Sequence, residues 1–353
     1  MGIPKLLKSE NYQNFFEALI IPCILIFSLG AFFVFRNQVR VDLVGNNSLG
    51  LLMLICSISL CVLLFPVFYL IGIKQSGIRL SKRAKIFNSI TLCIAIILID
   101  VMATALIIAL LNFVTKNLVV DRYIASAIVG VYAALVGYLV VPTALDMTTS
   151  RIVRLFSTVV IAGVILSMIT AGDNQWWQIN FSALGTASTS PLASSAFNVT
   201  MIISGLLLIS LTSHLTKDIS VEIITNNHRE RRIHSLESIL ILIGASMASI
   251  GALPYDKFPR THDTLAYFMA VMLLVLIISL RFILPKISKV FLINSYFALA
   301  SIIVLYILFN LYAYISLTAF ELLSFLITLG WLLMFARSEE HTSELQSRLH
   351  LVC

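Results

Sequence analysis

Residues 173–198 read DNQWWQINFSALGTASTSPLASSAFN. The stretch lies between two long apolar runs, 152–172 and 194–215, and holds two of the chain's three tryptophans. It carries no Lys or Arg and is rich in small and hydroxyl residues. Loops that merely connect two membrane helices are usually shorter and blander. The stretch therefore reads as an ordered cap on the outer face of a membrane-embedded helical bundle, and as the functional surface.

Working outward, the flanking runs belong to a series. Ten apolar spans are expected: 15–35, 50–73, 89–113, 122–145, 152–172, 194–215, 236–254, 262–284, 287–312 and 315–336. Runs of about 20 apolar residues are the length needed to cross a hydrocarbon core of about 30 Å. The runs do not alternate in polarity, which sets aside a β-barrel. At 59% hydrophobic and 12% charged, the chain has too much apolar surface for a soluble fold to cover. The fold class is thus all-α, a polytopic membrane protein. The first run exceeds a signal-peptide core and lacks a cleavage pattern, so it reads as a retained helix.

With the N-terminus inside, the inner segments hold 17 Lys and Arg and the outer segments 6. Cytoplasmic loops carry the excess of positive residues, so ten spans with both termini cytoplasmic fit. The net charge of +7 then reports orientation in the plasma membrane, and nucleic acid is not an expected partner. The strongest basic loops are 74–85 and 216–235; they fix topology or meet anionic lipid heads or a cytoplasmic partner. Small residues recur every four positions at Ser126, Gly130 and Ala134, and at Gly244, Ala248 and Ala252. These are expected packing seams, because helices in lipid associate through close small faces. Pro22, Pro66 and Pro142 fall inside spans.

Residues 337–347, RSEEHTSELQS, look like a translated sequencing-library adapter, and polarity changes abruptly at Arg337. The organisation expected is a four-helix region 1–145, a six-helix domain 146–336 and a non-native tail 337–353.

Two acids lie more than a helical turn inside their spans. Asp100 is near the middle of the third, where a charge is costly, and Cys93, Ala103 and Thr104 share its face. It reads as a proton or cation site, or as an acid satisfied by hydrogen bonds. Glu321 lies on a polar stripe with Thr318, Ser324 and Thr328, at the level where Arg260 and His262 enter the eighth span. An ion pair with His262 is one expectation. Trp176 and Trp177 read either as rings at the headgroup level or as the floor of a cleft with Asn180, Ser182 and Asn198. Asn46, Asn180 and Asn198 also begin N-x-[ST] patterns.

There is no GxxxxGK[ST], HExxH, GxSxG or GxGxxG. The cysteines at 23, 56, 61 and 93 lie in apolar runs without metal-ligand spacing. No enzyme, metal or cofactor is expected.

NFSALG (180–185), Phe197–Asn198 opening the next span, and GALP (251–254) followed by His262 occur in this order. Over about 151–336 the chain resembles domain-of-unknown-function family 998, bacterial and archaeal multipass membrane proteins related to the Frag/DRAM/Sfk group. The resemblance implies that Ser182, Gly185, Asn198, Gly251, Pro254 and His262 mark one outer surface. The family has no established activity, and its eukaryotic relatives are linked to membrane lipid organisation and sensing. The four leading spans lie outside its pattern. The function expected is binding or moving a small amphiphile or lipid at the outer face, with membrane lipids as partners. Alternatives are the permease subunit of an ATP-driven transporter, with a cytoplasmic ATPase at loop 216–235, or a proton-coupled secondary transporter using Asp100 and Glu321.

Overall fold

Runs of apolar residues long enough to span a bilayer must satisfy their backbone internally, and here they do so as helices. A computed structural model describes the backbone of residues 10–76, 80–116, 118–173, 175–221, 227–283 and 288–349. It describes their side chains except at 10–19, 216–221, 227–231 and 336–349. Among the described residues the helices are α1 Glu10–Phe35, α2 Leu49–Ser76, α3 Lys82–Thr115, α4 Arg122–Leu145 and α5 Thr149–Thr170. They continue as α6 Pro191–Val221, α7 Asn227–Ala252, α8 Pro259–Ile283, α9 Lys289–Asn310 and α10 Leu317–Leu349. Nine are long and apolar enough to cross a membrane, and α1 contains a shorter apolar helix, Ile20–Val34. The chain is an all-α multipass membrane protein. Many large apolar side chains face outward, Phe113 at 83% exposure and Phe297 at 74% among them. Helices that are apolar all round sit in lipid in this way.

The chain forms two compact units. The first comprises residues 1–78 and 96–147. In it α4 packs on α1 and on α2. The seam read from Ser126, Gly130 and Ala134 is where α4 meets α1: a Cβ on Gly130 would strike Ser28 and sit 2.5 Å from the Ile24 carbonyl oxygen. At the α2–α4 crossing, Gly72 lies against the carbonyl of Leu145, with no room for a side chain. Two short strands, β1 Arg40–Asp42 and β2 Val119–Asp121, pair antiparallel with Val41 opposite Val120. They join the α1–α2 and α3–α4 connections, which places both at the same end of the unit. Val41 is fully buried with Phe35, Leu43 and Ala125. Asp121 then caps α4, accepting from Tyr123 N at 2.8 Å.

The second unit comprises residues 79–95 and 148–353. Its helices pair in sequence, α5 with α6, α6 with α7, and so on to α10, and α10 returns to α5. The six therefore close into a ring. The seam at Gly244 and Ala248 packs on Gly205 of α6, backbone against backbone. Gly163 of α5 lies under the Thr200 side chain of α6. Residues 82–95 of α3 join this unit, where Asn88 Nδ2 donates to Ser213 Oγ at 2.7 Å. Trp331 of α10 is buried against Phe291 and Phe335, and its Nε1 donates to Ser295 Oγ of α9 at 2.9 Å.

The helix α10 runs past Arg337 to Leu349 without a break. The strand pair had no sequence signal: three residues are too few for alternation to register.

Candidate functional site

The cap begins where α5 ends. Gly172 N donates to Thr189 O at 3.1 Å, closing the base of the loop. Asp173 Oδ1 accepts from Gln175 N at 2.8 Å, and two 3-10 turns follow, Trp176–Gln178 and Phe181–Gly185. The second turn rests on α6 and α10. Phe181 is buried with its ring edge-on to Phe197 at 5.2 Å and tilted on Phe325 at 5.6 Å.

A loop must find partners for its backbone polar groups, and this one uses its hydroxyls. The carbonyl of Ala183 accepts from Thr186 N at 3.0 Å, and from Thr186 Oγ1 and Thr189 Oγ1 at 2.7 Å each. The carbonyl of Gly185 accepts from Ser194 Oγ at 3.0 Å and Asn198 Nδ2 at 2.9 Å. Ser190 Oγ donates to Thr170 O and accepts from Ala193 N. Ser167 Oγ donates to Ala193 O. Gly185 is glycine for a steric reason: a Cβ there would sit 2.5 Å from Asn198 Oδ1 and 2.8 Å from the Phe197 ring. Most of the hydroxyl richness read as a ligand surface is therefore engaged in holding the cap.

Two contacts tie the cap to distant helices. Phe181 N donates to Glu321 Oε2 of α10 at 2.6 Å. Ser182 Oγ lies 3.0 Å from Nε2 of His262 on α8, while His262 Nδ1 lies 2.9 Å from Leu253 O. The Tyr255 ring stands edge-on to the imidazole at 5.7 Å. Ala187 N adds a weaker bond to Asp256 Oδ2 at 3.3 Å.

The expected His262–Glu321 ion pair does not form. Both imidazole nitrogens are taken by Leu253 and Ser182, and the carboxylate goes to the Phe181 amide. Near Glu321 along the chain or its bonds, Asn180 Oδ1 and, from the stripe on α10, Thr318 Oγ1 and Ser324 Oγ are buried without partners among the described residues. Elsewhere in the spans hydroxyls usually turn back to their own helix, as Ser246 and Ser295 do.

The other expected residues divide. Asn180 is 6% exposed and Asn198 is committed to Gly185, so neither presents a free N-x-[ST] acceptor. Trp176 is half-buried. Trp177 and Ile179 are 52% and 58% exposed, so Trp177 lies on the surface of the cap. Asp100 belongs to the first unit and Glu321 to the second. Asp100 Oδ1 accepts from Tyr132 OH at 3.4 Å, and Tyr132 OH is closely bonded to Thr104 Oγ1. Among the described residues its Oδ2 is buried with no partner within hydrogen-bonding distance. In loop 216–235, where the alternative transporter reading places an ATPase, residues 222–226 lie outside the described residues, as do the side chains of 216–221 and 227–231.

Sequence reasoning singled out Ser182, His262 and Glu321 without pairing them correctly, and it missed Phe181. The only signal for Phe181 was its place between Asn180 and Ser182, since an apolar side chain says nothing about its own backbone amide. Compared with family models, with curated proteins and with solved structures, the chain finds no match.

Proposed function

We propose that this protein, with both termini cytoplasmic in the plasma membrane, binds or moves a small amphiphile or lipid at the outer face of its six-helix unit. It would be a member of domain-of-unknown-function family 998, with membrane lipids as its partners. The observation that carries the reading is the pairing of surfaces on one short segment. Trp177 and Ile179 expose apolar area, and within a few residues the half-buried Ser182 opens onto a polar base whose deeper members, Asn180 and His262, are buried, with Glu321 bonded to the intervening Phe181 amide. A ligand with an apolar body and a polar end matches both.

Binding tests it. The protein in nanodiscs is titrated with a fluorescent lysophospholipid, and the double variant Trp177→Ala, Ile179→Ser is compared. Burying a large apolar side chain contributes roughly 1.5–3 kcal/mol, and about 1.4 kcal/mol is tenfold in affinity. The variant should bind at least tenfold more weakly. Equal affinity removes the proposal.

Sidedness is tested apart. Ser188 is exposed on the cap, so Ser188→Cys in intact cells should react with a maleimide that cannot cross lipid. Reaction only after lysis inverts the orientation.

A further inference from the structure

The contact between Ser182 and His262 has the form of a nucleophile and its base. A carbonyl oxygen only accepts, so the contact of Nδ1 with Leu253 O at 2.9 Å puts the ring proton on Nδ1. In the neutral ring Nε2 then offers its lone pair to the Ser182 hydroxyl, 3.0 Å away. This is the tautomer a general base requires, set by a third group as in other serine–histidine sites. The imidazole is held firmly, at 3% exposure, with Tyr255 against its edge. The serine is half-buried, whereas Phe181, Ala183 and Leu184 around it are buried.

An acyl-transfer site also needs a donor for the oxyanion. In the turn Phe181–Gly185 the first amide to bond back is Ala183 N, to Asn180 O. The amide of Phe181 goes to Glu321. The Ser182 N–H stands before this i→i+3 ladder begins and takes no part in it. The nucleophile's own N–H is one of the two oxyanion donors in the serine-hydrolase arrangement.

We propose that Ser182 and His262 form a catalytic dyad acting on an acyl ester of a membrane amphiphile. The dyad rests on the contacts above; the substrate class rests on the cap being the amphiphile site, with Trp177 and Ile179 just before the serine. Ser182 Oγ bonds to the ester carbonyl carbon as its proton passes to Nε2. The bond from that carbon to the alcohol oxygen breaks, and the alcohol leaves with the proton. Water, or a second alcohol, attacks the acyl-serine and gives a proton to Nε2. The acid or new ester departs, and the proton returns to Oγ.

The test uses the full chain in nanodiscs and a tagged alkyl fluorophosphonate, with the modified peptide located by mass spectrometry. One adduct is expected, on Ser182, absent from Ser182→Ala and unchanged by Ser188→Ala. Because a general base contributes about 10²–10⁴-fold, His262→Gln should label at least a hundredfold more slowly. Hydrolysis of p-nitrophenyl octanoate should follow the same order. The dyad is overturned if the folded wild-type protein takes no label at Ser182, a result that needs no variant. It is equally overturned if a folded His262→Gln protein labels as fast as wild type, since the contact would then be only a brace. Lysophospholipid binding without Ser182 labelling leaves the amphiphile site and removes the dyad. Labelling and ester hydrolysis without lipid binding leaves the dyad and removes the membrane substrate.

Discussion

Gly205→Leu should separate α6 from α7 and lower the thermal stability of the purified protein more than other single changes along that seam. Nothing soft lies opposite Gly205. A Cβ there would run into the Gly244 carbonyl oxygen, 2.5 Å from Ala248 N and 2.9 Å from Ala248 Cα. Side chains can rotate away, whereas a helix backbone can only move as a body. Inserting atoms into a packed core costs typically about 1–3 kcal/mol, and the upper end is expected here because the whole α6–α7 pairing must yield. In lipid there is little hydrophobic transfer energy to draw on, so close contact is itself the attraction being lost. Gly330→Ala on α10 is the control. A Cβ there meets nothing within 4 Å, and alanine favours a helix interior over glycine by roughly 1 kcal/mol. Thermal unfolding in detergent should show a clear drop for Gly205→Leu and none for Gly330→Ala. Equal midpoints for the two would show that the seam does not hold the ring.

Glu321→Leu should release the cap. The carboxylate accepts from the Phe181 amide at 2.6 Å beside a buried ring, so its removal strands a buried N–H. A buried donor left unsatisfied costs about 1–3 kcal/mol. Glu321→Gln keeps an acceptor oxygen and should retain much of the bond, losing its charge-assisted part. Hydrogen exchange at the Phe181 amide reads this directly. Protection should fall about tenfold to a hundredfold in the leucine variant and less in the glutamine variant, with α6–α7 amides unchanged. Undiminished protection in Glu321→Leu would mean that the aromatic contacts with Phe197 and Phe325 hold the cap alone.

What could be read from the sequence was what is local. Each apolar run reports its own length, and small residues four apart report a seam, as Gly130 and Gly244 do. Hydropathy also gives the depth of a residue in the membrane, and so grouped Glu321 with His262. Depth says nothing of position around the ring, and at that level the cap reaches the two from different residues: Phe181 meets Glu321, and Ser182 meets His262. Those partners are 140 and 80 positions apart, beyond any local period. Composition failed in another way. Thr186, Thr189, Ser190 and Ser194 look alike whether they face a ligand or a carbonyl of their own loop, and here they bond within the loop and to the ends of the helices beside it.

The distance between Phe181 and Glu321 also has a consequence in time. At about 5–20 residues per second, a ribosome needs roughly 7–28 s to travel those 140 positions. Throughout that interval the nascent cap has neither the carboxylate nor the Phe325 ring. Its side chain–carbonyl bonds, from hydroxyls and the Asn198 amide, join residues 3 to 26 apart and are available early. Assembly is thereby ordered: the loop folds on itself first, and α10 arrives later at a partner already built for its polar stripe.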